Sequence, residues 1–110
     1  MTAESQQFML DMAEIIDEFG ETFTFSRGTK KLATITGAYG KIRNNNIVPT
    51  DPSVTVSNER SICISAKTKY VPEVADVVQD SVKNIYQVTE ITASRYQGQN
   101  IVFMLTVRLS

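Results

Sequence analysis

The sequence predicts a mainly β (α+β) fold: a small antiparallel β-barrel or sandwich with one N-terminal amphipathic helix and a long mid-chain loop. Three observations lead there. Apolar residues keep a helical period only near the N-terminus, later stretches alternate with a period of two, and glycine, asparagine and proline fall between those alternating stretches.

The helix is expected over about residues 3 to 19. Phe8, Met9, Met12, Ile15, Ile16 and Phe19 lie on one continuous apolar stripe, and the opposite face carries Asp11, Glu14, Asp17 and Glu18. Thr2 reads as its N-cap and Gly20 as a left-handed residue just past its end. Such a stripe belongs to a core or docking face far more often than to a cofactor box.

From residue 21 the period changes. "ETFTFS" alternates Phe23 and Phe25 with threonines, and "KLATITGAYGKI" sets Leu32, Ile35, Tyr39 and Ile42 among small residues, so both read as strands joined by a turn at Arg27-Gly28-Thr29. Gly37 and Gly40 mark a bulge or a close backbone approach. "RNNNIVPTDPS", residues 43 to 53, is the most loop-like stretch, since asparagine tolerates turn conformations and proline lacks the donor that a central strand needs. A loop of that length is either a binding element or a disordered one.

Alternation resumes at Val54-Val56 and Ile62-Ile64, with "SNER" as turn or bulge between them and Cys63 on the opposite face from its isoleucine neighbours. Ile101 to Leu109 alternate as a long half-buried strand. Gly98 turns the chain before it, and residues 84 to 109 form a hairpin with Tyr86, Val88 and Ile91 inward and a phase slip between Val88 and Ile91. Residues 70 to 91 are ambiguous, because Val74, Val77, Val78 and Val82 also fit one or two helical turns. β-branched residues lose rotamer freedom in a helix and no linker separates them from the strand that follows, so "DVVQ" entering, "DSVKN" turning and "IYQV" leaving is the preferred reading.

A chain of 110 residues with 42% hydrophobic content makes a single domain, residues 1 to 110, with its barrel from about 21 onward. No run of about 18 apolar residues spans a bilayer and the N-terminus lacks a secretory pattern, so a cytoplasmic protein with no membrane partner is expected. With no histidine and only Cys63, the sequence offers neither a disulfide nor a metal cluster, and no cofactor or catalytic residue is expected. A carboxylate pair alone can hydrolyse a glycoside. The acids here, however, gather on a helix face, and the chain has no tryptophan.

The net charge of −1 hides a segregation. Residues 4 to 21 hold acids without a base, while residues 27 to 43 hold Arg27, Lys30, Lys31, Lys41 and Arg43 without an acid. These are either solvated faces or complementary docking patches between copies or partners. A nucleic-acid-binding module is a second reading, using Lys30, Lys31, Lys41, Arg43, Lys67 and Lys69 with Tyr39 and Tyr70 interleaved, although a net negative charge weakens it.

The helix, the meander broken by one long loop, and the run "VPEVADVV…IYQVTEI" together resemble the small head-tail joining (neck, head-completion or stopper) proteins of tailed bacteriophages. Pro72, Asp76, Val77, Val78, Tyr86 and Val88 match the order of that family's late segment, with Ala75 where the family has glycine. The resemblance implies a structural virion protein at the neck, assembled in the host cytoplasm into a ring of about six or twelve copies. It further implies a portal or adaptor protein on the head side, a tail or tail-terminator protein on the other, and packaged DNA in the channel. The interface candidates are Asp11, Glu14, Asp17 and Glu18 on the helix, Lys30, Lys31 and Lys41 on the basic stretch, and Arg43, Asn44, Asn45, Asn46, Ile47 and Val48 in the loop. A tail terminator ring is the neighbouring alternative.

Overall fold

Among the described residues the chain forms seven strands, most of them period-two stretches that place one set of alternate residues where neighbouring strands can cover them. The computed structural model describes residues 3–43, 46–49 and 58–109. Helix α1 (Ala3–Phe19) is followed by β1 (Glu21–Arg27), β2 (Lys30–Arg43), β3 (Asn46–Pro49), β4 (Glu59–Ser65), β5 (Val77–Gln79), β6 (Ile85–Tyr96) and β7 (Gln99–Leu109). The order β1-β5-β6-β7-β4-β2 is closed by direct pairing of β1 with β2, and β3 extends the sheet from β2. Every pairing is antiparallel.

Two apolar clusters share the wall of this barrel. Inside it, Phe23, Phe25, Ile62, Ile64, Leu105 and Val107 pack with Tyr39, Tyr70, Val78, Tyr86 and Val88. On its outer side, Met12 and Ile16 of α1 cover Ala38, Ile47, Cys63, Ile101 and Val102. The alternation at Ile62-Cys63-Ile64 is therefore a division between two cores, with Cys63 under the helix. Ile101 departs from the alternation expected of β7: it joins Val102 and Met104 on the helix side, and Leu109 at the strand's end is exposed.

The turns follow from conformational need. Gln97 and Gly98 link β6 to β7 with φ of 52° and 77°, the double positive φ of a type I′ turn. Gly28, with φ 64°, opens the two-residue turn between Arg27 and Lys30, so Arg27 is itself a strand residue. The slip expected between Val88 and Ile91 is a bulge at Val88/Glu90, where the Thr89 hydroxyl donates to the Thr106 carbonyl at 3.1 Å.

Other expectations are corrected. Residues 73–86 form no helix: Val77–Gln79 pair with both β1 and β6, which satisfies their backbone without one. The loop expected over residues 43 to 53 is in good part a hairpin. Gly40–Arg43 pair with Asn46–Pro49, because Ile47 finds a buried seat under α1 and Pro49 ends an edge strand where its missing donor is harmless. The rest of that loop, the strand read at Val54-Val56 and the Thr2 cap lie outside the described residues. Phe19 continues the apolar stripe in sequence but is 56% exposed, since the chain turns into β1 at once and leaves it beyond the wall.

Gly20 does not take a left-handed φ. A Cβ there would lie 2.2 Å from the Ile16 carbonyl oxygen and 2.6 Å from that of Gly37, so its role is to let the helix end touch β2. Gly20→Ala should destabilise by about 3 kcal/mol, because backbone on both sides must move. Gly28→Ala, which meets nothing within 4 Å, should cost only about 1 kcal/mol of left-handed strain. Urea unfolding followed by circular dichroism measures both.

Candidate functional site

The segment from Tyr70 to Asn84 is where the fold concentrates its polar chemistry. Tyr70 and Pro72 are buried, and Glu73 to Asp76 then form a tight turn closed by the Asp76 amide on the Glu73 carbonyl at 3.1 Å. Ala75 occupies its third position with φ 77°, the conformation that type II turns reserve for glycine. Its amide donates to the Val88 carbonyl at 2.8 Å, and the Val88 amide returns to Asp76 at 2.9 Å, so the chain is fastened to β6 before β5 begins.

Asp76, 1% exposed, is the centre of a first clamp. Arg27 donates from Nε to Oδ1 at 2.8 Å and from Nη2 to Oδ2 at 3.0 Å, the Glu73 amide donates at 3.0 Å, and the Tyr70 hydroxyl donates to Oδ2. Arg27 also pairs with Glu73 and reaches the Val71 carbonyl at 3.3 Å. Burial alone would raise the Asp76 carboxyl, but the hydrogen bonds from Arg27, Tyr70 and the Glu73 amide, with the Arg27 charge, hold it below the usual carboxylate range. Burial and the bond to Asp76 push the Tyr70 phenol upward.

Asp80 builds a second clamp at the other end of β5. Its Oδ1 accepts the amides of Val82 at 3.0 Å and Asn84 at 2.8 Å, organising the turn in which Lys83 has φ 70°. Its Oδ2 accepts the Asn84 side-chain amide at 3.0 Å and the Tyr39 hydroxyl at 2.9 Å. The Tyr39 and Tyr86 oxygens are 3.0 Å apart, and since Tyr39 gives its one proton to the carboxylate, Tyr86 is the donor. Burial, then the contacts with Tyr86 and Asp80, push the Tyr39 phenol upward. Both carboxylates hold loops on the barrel, and their acceptor capacity is taken up by that task.

Asp11, Glu14, Asp17 and Glu18 are exposed on α1, with Gln7 donating to Asp11 at 2.9 Å, and Lys30, Lys31 and Lys41 are exposed on β2. Val48 is 42% exposed opposite Lys41. Ile47 is corrected: at 6% exposure it belongs to the core under α1, not to an outward contact. Arg43 pairs with Asn46 at the end of the β2–β3 hairpin, while Asn44 and Asn45 lie outside the described residues. Tyr39 and Tyr70 are buried with their hydroxyls on carboxylates, so neither ring is available to stack on a base. The Cys63 thiol, donating to the Gly40 carbonyl at 3.4 Å, is pushed up to about 12 by burial, which removes it as a nucleophile at neutral pH.

The spacing of Arg27, Asp76 and Asp80 does not mark them as a site, yet the sequence carries a signal for the two acids. Asp76, Val78 and Asp80 fall at i, i+2 and i+4 and are all buried, whereas Val74 and Val82 are 61% and 73% exposed. The inward positions of β5 and its two flanking residues read Asp-Val-Asp, with apolar residues turned outward beyond both ends.

No family model, no curated protein and no solved structure matches this chain.

Replacing Arg27 by methionine should destabilise the fold, because it leaves the buried Asp76 carboxyl without its guanidinium partner. The native protein keeps the Asp76 contribution above the ordinary carboxylate value of about 3.9 and loses it as pH falls through the lower folded value. In Arg27→Met, burial dominates the carboxyl and that acid-side loss should shrink. Urea unfolding from pH 7 down to pH 3 reads both effects. Ala75→Gly should stabilise by about 1 kcal/mol through relief of the left-handed strain, measured as a raised Tm.

Proposed function

We propose that this chain is a ring-forming structural component of the head-tail connector of a tailed bacteriophage, a stopper or adaptor located at the virion neck. The observation that carries the reading is the late segment. Pro72 leads into the turn before β5 and Asp76 closes it, Val77 and Val78 lie in β5, and Tyr86 and Val88 at the start of β6, in the order seen in the resemblance. A closed small barrel with one helix against its wall is compatible with it. Ring neighbours need two different surfaces, and the acidic face of α1 and the Lys30-Lys31 end of β2 supply opposite charges for them. On this reading the partners are further copies of the chain, a portal or adaptor ring above and a tail or tail-terminator protein below.

A tail terminator has the same ring logic one layer lower. The nucleic-acid module is less well supported, because its two aromatics are committed inside the barrel.

Native mass spectrometry tests the reading, on the chain alone and mixed with the portal ring of the same phage. Binding in symmetric multiples is expected, and a monomer that ignores the portal overturns it. Asp17→Lys with Glu18→Lys, or Lys30→Glu with Lys31→Glu, should each abolish assembly. Mixing the two variants should restore it, since alternating copies then present opposite charges at every interface. Rings unaffected by either pair would overturn the surface assignment.

A further inference from the structure

We propose that the outer edge of β2 from Lys30 to Thr36 binds an extended acidic polypeptide segment by strand addition, a role that does not depend on the neck reading above. β1 covers β2 on one side from Lys30 to Gly37. On the other side β4 pairs only with Gly37, Ala38 and Tyr39, so among the described residues no strand covers Lys30 to Thr36 there. The cause is local. β4 ends at Ser65, the Ala66 amide adds one last bond toward β7 at the Ile101 carbonyl, 3.0 Å away, and the Thr68 amide then folds back on Ser65 at 3.4 Å, so the chain turns before it can pair further with β2.

The gap left behind is a slot rather than a blunt edge. Two open cavities line it, one of about 330 Å³ against Ile35 and Thr36 and one of about 380 Å³ against Leu32 and Ala33, with Thr68 forming part of both. At about 3.3 Å per residue the uncovered run is roughly 20 Å long, enough for five or six residues of extended chain. Leu32, Ala33 and Ile35 are half-buried, an apolar floor for alternate side chains of a guest.

The chemistry of the rim selects the guest. Lys67 and Lys69 line the slot and Lys30 and Lys31 stand exposed at its start, whereas Arg27 is already committed to Asp76 and Glu73. Among the described residues Asp17 is the one acid lining either cavity, at the helix end. Carboxylates on the guest are therefore favoured toward Lys69 and disfavoured beside Asp17. A strand edge presents alternating donors and acceptors at peptide spacing, which a polypeptide backbone matches and a phosphate backbone does not. Lysines on an edge can also serve only to repel other strands, and the experiment separates that role from recruitment.

The probe is a capped eight-residue peptide of alternating valine and glutamate, titrated into the full chain labelled with 15N. Shifts confined to the amides of Leu32 to Thr36 and Lys67 to Tyr70 are expected. A valine-lysine peptide, or the acidic peptide with every interior backbone amide methylated, should bind at least tenfold more weakly. Lys67→Glu with Lys69→Glu, both exposed and outside the cores, should weaken the acidic peptide at least tenfold while the rest of the spectrum stays unchanged. No binding would leave the lysines as edge guards and overturn the proposal. Equal binding of the methylated peptide, or the same shifts with a single-stranded oligonucleotide, would overturn it in favour of a charge-only contact.

Discussion

The barrel closes through three residues. Among the described residues β5, Val77 to Gln79, is the only element between β1 and β6, and a strand of that length brings too few ladder bonds to hold itself in place. Its persistence depends on Asp76 and Asp80, which grip the chain immediately before and after it and anchor it to Arg27 and Tyr70 on one side and to Tyr39 and Tyr86 on the other. Arg27 and Tyr39 come from β1 and β2, so the clamps tie this strand to parts of the wall remote in sequence, while Tyr70 and Tyr86 are anchors nearby in the chain. A buried carboxylate is costly unless its oxygens are occupied. Here amides, hydroxyls and a guanidinium occupy them, and the same bonds organise two turns.

The second organising feature is a wall buried on both faces. β4 and β7 face the barrel interior with one set of residues and α1 with the other, so neither strand shows the polar alternation of a one-sided sheet. Covering that wall with α1 leaves the helix's acidic face outward, while Lys30 and Lys31 sit at the end of β2 whose outer edge, among the described residues, β4 does not reach. The segregation of charge along the sequence thus becomes a segregation in space, which favours contacts between unlike surfaces over those between like ones.

The elements themselves were legible wherever local periodicity governs. The helix at 3–19, the hairpin of β6 and β7 with its bulge, and the division of Ile62, Cys63 and Ile64 between faces all follow from spacing alone. What local pattern cannot convey is which tertiary surface awaits a residue. Ile47 looked like loop because asparagines and prolines flank it, yet the underside of α1 draws it into a strand. Gly20 looked like a left-handed cap, but its bareness answers the carbonyl of Gly37, a residue far along the chain. The valines at 74 and 82 suggested burial, while the buried positions belong to acids whose partners lie more than thirty residues away in Arg27 and Tyr39. For the proposed interaction surfaces, the sequence shows the charges, and the pairing register shows the uncovered edge beside Lys30 and Lys31.

Cys63 has a practical consequence. It is the sole thiol of the chain, fully buried between β4 and α1 and outside the barrel interior. A modifying reagent reaches it only when the helix lifts from the wall or when the whole domain opens. The labelling rate as a function of denaturant therefore separates the two events. A slope shallow compared with global unfolding reports undocking of α1 alone, with the barrel still shut, and no engineered probe is needed to see it.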